Sequence, residues 1–189
     1  MKLRIADIDI YVGYEAVAAL TAVLLIDREN RFICCLAAAV VHELGHMLMM
    51  RLRSVRITGL RLRLFDVLIE ADEPPSFGAD VLITLGGPAA NLAFAAVSLP
   101  FSFEIGMSQL ALGIFNLLPA MSLDGGHLLR ICLERRYSAR VCDIILTITT
   151  IVFVLPLMTA GIYLLFKSKY NYSFLAISLY LLTVLLLKK

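Results

Sequence analysis

The stretch Val41-His42-Glu43-Leu44-Gly45-His46 sets two imidazoles four residues apart, with a carboxylate next to the first. On an α-helix, residues i and i+4 lie one above the other, so both rings can bind one zinc ion. Glu43 lies beside that face. There it can take a proton from a zinc-bound water and hand it to a leaving amine. Three ionisable residues in five, inside an apolar helix, are costly at membrane depth and mark function by default. The HExxH pattern also arises by chance, and the alternative is a pair of satisfied core histidines.

A hydrolytic zinc takes three protein ligands and leaves one position for water. Two partners for His42 and His46 are on offer, both within Asn116-Leu117-Leu118-Pro119-Ala120-Met121-Ser122-Leu123-Asp124-Gly125-Gly126-His127. One is His127, the remaining histidine, and the other is Asp124. Spacing alone leaves both open, and Asp124 also suits a helix N-cap before Gly125. A third motif, Gly86-Gly87-Pro88-Ala89-Ala90-Asn91, also has two readings. Its small residues let another helix come close. Alternatively, Pro88 kinks the helix and Asn91 offers an amide donor to a substrate carbonyl.

The elements that must position these groups are apolar. Of 189 residues, 60% are hydrophobic and only 17% charged, and mean hydropathy is +0.88. Such a chain is neither disordered nor an ordinary soluble domain. Four cysteines in this length do not make a disulfide scaffold, and none has zinc-ribbon spacing; they read as small apolar helix residues. A net charge of +2 without a long basic run excludes a sequence-reading nucleic-acid binder. What remains is an all-α polytopic membrane protein with about six transmembrane helices, near residues 10–26, 32–50, 78–102, 105–119, 142–166 and 171–187. The first is read as a retained span, not a cleaved signal peptide. The fourth runs into Pro119 and is expected to break before it crosses, which is tolerated only at a protein-lined cavity. Between spans two and three, Val55 and Ile57, then Leu60, Leu62 and Leu64, alternate with polar residues around Gly59. That period of two predicts a short β-like hairpin over 54–70. With the N-terminus inside, thirteen lysines and arginines fall on the cytoplasmic side and four outside. The bias puts both termini in the cytoplasm.

HELGH in an early span, GGPAAN in the third and NLLPAMSLDGG after the fourth, in that order, resemble the site-2 protease family of zinc intramembrane proteases. The resemblance covers residues from about 30 to 130. It implies Zn2+ as cofactor, His42, His46 and Asp124 as its ligands, and Glu43 as catalytic base; His127 is then not a ligand. It implies a position near substrate for Asn116, and it favours a substrate-binding role for Asn91. Ser122 stands where the family usually has proline. The compact core without a PDZ insertion is similar to the stage IV sporulation protease branch, which carries a C-terminal CBS domain; none is expected here, so the chain reads as a shortened version or a related branch. The expectation is therefore one transmembrane protease domain over 1–189 in a bacterial cell membrane. It would cleave a membrane-embedded or membrane-associated protein, such as a pro-sigma factor, near the cytoplasmic side. A membrane regulatory protein is a further expected partner; the lipid bilayer is the setting, and nucleic acid is not expected. A metal-binding transporter and a catalytically inactive membrane scaffold are the competing classes. A transporter has no need of Glu43, and a scaffold would tolerate loss of zinc.

Overall fold

The structure, a computed structural model, describes residues 2–5, 8–14, 21, 31–62 and 67–168. The chain forms two compact units, residues 1–114 and 115–189.

The first unit opens with strands β1 (Lys2–Ile5) and β2 (Ile8–Val12). Here the structure departs from the predicted first span, because residues 10–12 belong to a strand. The signal was present: Leu3 and Ile5 alternate with Lys2 and Arg4, and Ile8, Ile10 and Val12 with Asp9 and Tyr11. A period of two is a strand pattern, and the apolar count across the window hid it. Apart from residues 10–14 and Thr21, that predicted span lies outside the described residues.

Helix α1 (Arg31–Leu52) follows, then β3 (Ile57–Leu62), β4 (Val67–Ala71), α2 (Phe77–Ser98) and α3 (Phe103–Asn116). The predicted hairpin is present: β3 and β4 pair antiparallel, with an irregularity between Ile57 and Gly59. It does not stand alone, since β2 pairs parallel with β3 and the sheet has four strands in the order β1-β2-β3-β4. The chain is thus helical with a sheet, not all-α. Arg61 ties three strands together. It ion-pairs with Glu70 on β4 at 2.6 Å and lies over the Tyr11 ring of β2 at 5.3 Å.

The second unit holds α4 (Asp124–Leu133) and α5 (Ala139–Ser168). Between α3 and α4 the chain turns at Pro119. The Met121 N–H donates to the Thr150 hydroxyl on α5 (2.9 Å), and Ala120 and Leu123 pack with Val154 in a small buried core.

Among the described residues three helices are long and apolar enough to cross a membrane: Phe32–Leu52, Phe77–Ser98 and Ala139–Tyr163. They match the predicted spans two, three and five. Helix α3 has 14 residues, about 21 Å at 1.5 Å per residue. That is short of a hydrocarbon core of about 30 Å, as expected for a broken span. The predicted sixth span, 171–187, lies outside the described residues.

Candidate metal centre

The floor of the site is the seam between α1 and α2, the most extensive helix pairing in the first unit. Two glycines let the backbones meet. A Cβ on Gly86 would lie 2.7 Å from the Gly45 carbonyl oxygen and 2.6 Å from Met49 Cγ, and one on Gly45 would collide with the Gly86 carbonyl and Ala90. The close-approach reading of GGPAAN therefore holds at Gly86 and Ala90, whereas Ala89 is exposed.

On this seam His42 and His46 stack one turn apart, with ring centroids 4.7 Å apart and planes near perpendicular. Their Nε2 atoms face each other at 3.1 Å. The Nδ1 atoms point the other way, each to an oxygen. His46 Nδ1 donates to the Ile83 carbonyl at 2.8 Å, and His42 Nδ1 donates to Asn91 Oδ1 at 2.7 Å. A carbonyl oxygen only accepts, so Nδ1 of His46 carries the proton. The same holds for His42, because the Asn91 amide orientation is fixed. Its Nδ2 donates to the Ala38 carbonyl (2.9 Å) and to Gln109 Oε1 (2.6 Å), which leaves its oxygen for the histidine.

In the neutral rings both Nε2 atoms therefore present lone pairs to one another. Two lone pairs at that distance repel, and a cation they share removes the conflict. A metal ion does so with both rings neutral; a shared proton does so by charging one of them. The outer hydrogen bonds are those that metal-ligating histidines normally make. The donor set thus fits a zinc ion.

Space for it is kept by Gly87. A Cβ there would lie 2.7 Å from His46 Cε1 and 2.8 Å from His42 Cε1. The next residue, Pro88, has no N–H for the Thr84 carbonyl, and its ring crowds that turn.

Glu43 is half-buried on α1. Three residues from His46, it lies about 60° from that side chain around the helix, close to the ligand face. Asn91 is fully buried. Both its amide hydrogens have acceptors within the fold, and its oxygen faces His42. Sequence reading missed Gln109 and the Ile83 carbonyl. The first had a signal, an amide in the middle of the mostly apolar α3; a backbone carbonyl has none.

In the second unit Asp124 is the first residue of α4, with Leu123 in the N-cap position. The N-cap alternative is thereby removed. Its carboxylate sits in the first turn, where the helix dipole favours the anion. Leu117–Met121 wraps tightly against this end: a Cβ on Gly125 or Gly126 would strike the Leu117 and Ala120 carbonyls. His127 is exposed, and Asn116 is half-buried at the end of α3.

Residues 99–157 match the sequence model of peptidase family M50. The chain is 29% identical over 120 residues to the zinc metalloprotease MJ0392 of Methanocaldococcus jannaschii, a match covering 57% of this chain and 35% of that one. It is 32% identical over 120 residues to the putative zinc metalloprotease Rip3 of Mycobacterium tuberculosis, covering 54% and 30%. The chain thus spans about a third of the length of the curated relatives it matches. Among solved structures, the site-2 protease from Methanocaldococcus jannaschii superposes with a TM-score of 0.70 at 22% identity, covering 96% of this chain and 91% of that one. The fold is that of a site-2 protease. In this chain the contact between the HELGH helix and the GGPAAN helix builds the histidine pair.

Proposed function

We propose that this protein is a zinc endopeptidase that cleaves membrane-embedded or membrane-associated proteins. In this reading His42, His46 and Asp124 hold the ion and Glu43 is the catalytic base; two imidazoles and a carboxylate are an established hydrolytic donor set. The observation that carries it is the pair of Nε2 lone pairs turned on one another, each ring held from behind by an oxygen. Bound zinc would polarise the scissile carbonyl and lower the pKa of a water toward neutrality. Glu43 would serve as the base that takes a proton from the attacking water and passes it to the departing amine. Asn91 and Ile83 hold the two imidazoles in one tautomer throughout.

The sheet supports a binding mode for substrate. β4 is an edge strand, and an extended peptide can add to such an edge through main-chain hydrogen bonds. The arginine bias supports cytoplasmic termini and cleavage toward that face, and Asn116 is assigned to the substrate side. The finer assignment, to the sporulation branch in a bacterial cell membrane with a pro-sigma factor as substrate, rests on the compact order of the three motifs. A membrane regulatory protein belongs to the same assignment.

The test is co-expression with single-span and pro-sigma reporter substrates, comparing wild type with Glu43→Gln, alongside zinc analysis of both purified proteins. The expected result is near one equivalent of zinc in each and cleavage only by wild type. Full turnover by Glu43→Gln would exclude the mechanism.

A further inference from the structure

We propose that Gln109 is a positioning residue for the metal centre, one that locks the Asn91 amide so that its oxygen faces His42. The proposal builds on the zinc reading above.

Gln109 sits on α3 and is 1% exposed, in a helix that is otherwise mostly apolar. Its Oε1 accepts from Asn91 Nδ2 at 2.6 Å, the shorter of that amide's two donor bonds. Its own Nε2 is buried without a hydrogen-bond partner among the described residues. Burying two N–H donors unpaired is unfavourable, and a leucine or methionine would fill the same space without that cost. The oxygen is therefore the part of the side chain that the fold uses.

The orientation is forced from one end. A terminal amide has two nearly isosteric orientations, with oxygen and nitrogen exchanged. The Ala38 carbonyl can only accept, so Nδ2 of Asn91 must face it. The second hydrogen of Nδ2 then requires another acceptor, and Gln109 Oε1 supplies it. Reversing Gln109 would set Nε2 against Nδ2, donor against donor. With both amide hydrogens claimed, Asn91 can present only oxygen to His42. That oxygen keeps the proton on Nδ1 and leaves Nε2 bare for a metal. Without Gln109, the Ala38 carbonyl alone holds the amide, and the flipped state becomes accessible. In that state Asn91 donates to Nδ1, the proton moves to Nε2, and the ligand atom is lost.

The experiment is a double-mutant cycle on the full-length, detergent-solubilised protein: wild type, Gln109→Leu, Asn91→Ala and the double variant. Zinc affinity is read by competition with a chromophoric chelator, and the His42 tautomer by nitrogen-15 NMR of the metal-free protein. Outer-shell partners of metal ligands are typically worth about 10- to 100-fold in affinity. Gln109→Leu should weaken zinc binding about tenfold, at the lower end of that range. It should also shift His42 away from the Nδ1–H form. In the Asn91→Ala background the same substitution should change affinity by less than about twofold, since the residue acts through Asn91. Gln109→Glu keeps the accepting oxygen and should retain affinity within about threefold of wild type. A residue that merely packs would show the reverse order, with leucine tolerated and glutamate not. Wild-type affinity and an unchanged tautomer in Gln109→Leu, or an undiminished effect in the Asn91→Ala background, would overturn the proposal. If Gln109→Leu does not fold, Gln109→Met carries the same expectations. Should wild type itself take up no zinc, the zinc reading fails, and the tautomer spectra alone decide the role of Gln109.

Discussion

Replacing Gly87 by alanine adds one methyl group and should disable the centre while leaving the fold standing. The added carbon would sit 2.7 Å from His46 Cε1 and 2.8 Å from His42 Cε1. Ordinary carbon–carbon contact needs about 3.5–4.0 Å, so the shortfall is about 0.8 Å against each ring. Neither ring can retreat cheaply, because a hydrogen bond from Nδ1 to an oxygen anchors each on its far side. Two opposing terms act on stability. Alanine in a helix interior gains about 1 kcal/mol over glycine, and overpacking costs about 1–3 kcal/mol. The net loss is therefore about 0–2 kcal/mol, a shift of a few degrees in Tm. The chemistry has no such compensation: a displacement of about 1 Å of a reacting group costs on the order of 100-fold in rate. The assay compares zinc content, thermal melting and reporter cleavage for wild type and Gly87→Ala. Gly78→Ala serves as control, since a Cβ there meets nothing within 4 Å. Zinc content and turnover of Gly87→Ala matching those of the control would refute the assignment of Gly87 as the residue that keeps the metal position open.

Asp124→Ala should strip zinc, whereas His127→Ala should leave one equivalent, as metal analysis of the purified variants will show; the reverse result would move the third ligand to His127. Gly86→Ala forces the α1–α2 seam apart and should destabilise the protein by about 1–3 kcal/mol, measured by chemical denaturation in detergent. Thr150→Val removes the acceptor for the Met121 N–H and should cost about 1–3 kcal/mol; a neutral effect would show that the loop before α4 is held by its apolar contacts alone. In a background lacking the native cysteines, Ser54→Cys at the exposed end of α1 should react with impermeant thiol reagents only after the membrane is opened. Labelling of intact cells would invert the proposed topology.

The histidine pair was legible because one helical turn is a fixed distance, and four residues of spacing name the geometry. Helices α1, α2 and α5 were legible because an apolar run of about 20 residues has few other fates. The N-terminal strands were not. Ile8, Ile10 and Val12 serve a strand and an apolar window equally well, and the partner that decides between them, β3, is about fifty residues away in sequence. Parallel pairing of that kind leaves no local mark. The type of Asn91 was visible in the sequence and its neighbours in the fold were not. Its three partners, Ala38, His42 and Gln109, come from two other helices. The same limit hid Gln109, whose role exists only through Asn91.

The GGPAAN segment now has one physical account. His42 meets Asn91 and His46 meets Ile83, so α1 and α2 run antiparallel past each other. Ile83, Gly87 and Asn91 are spaced by four and four, which is a single stripe along α2. The upper residue of that stripe gives a side-chain oxygen to one ring, and the lower gives a main-chain oxygen to the other. The middle one gives nothing, and a methyl group would fill the space it leaves. Small residues therefore do two jobs here, separated by a single position: Gly86 faces the Gly45 backbone and sets the helix distance, and Gly87 faces the imidazoles and sets the space between donors. Packing and site roles were alternatives for the motif as a whole; for its residues taken singly, they are neighbours.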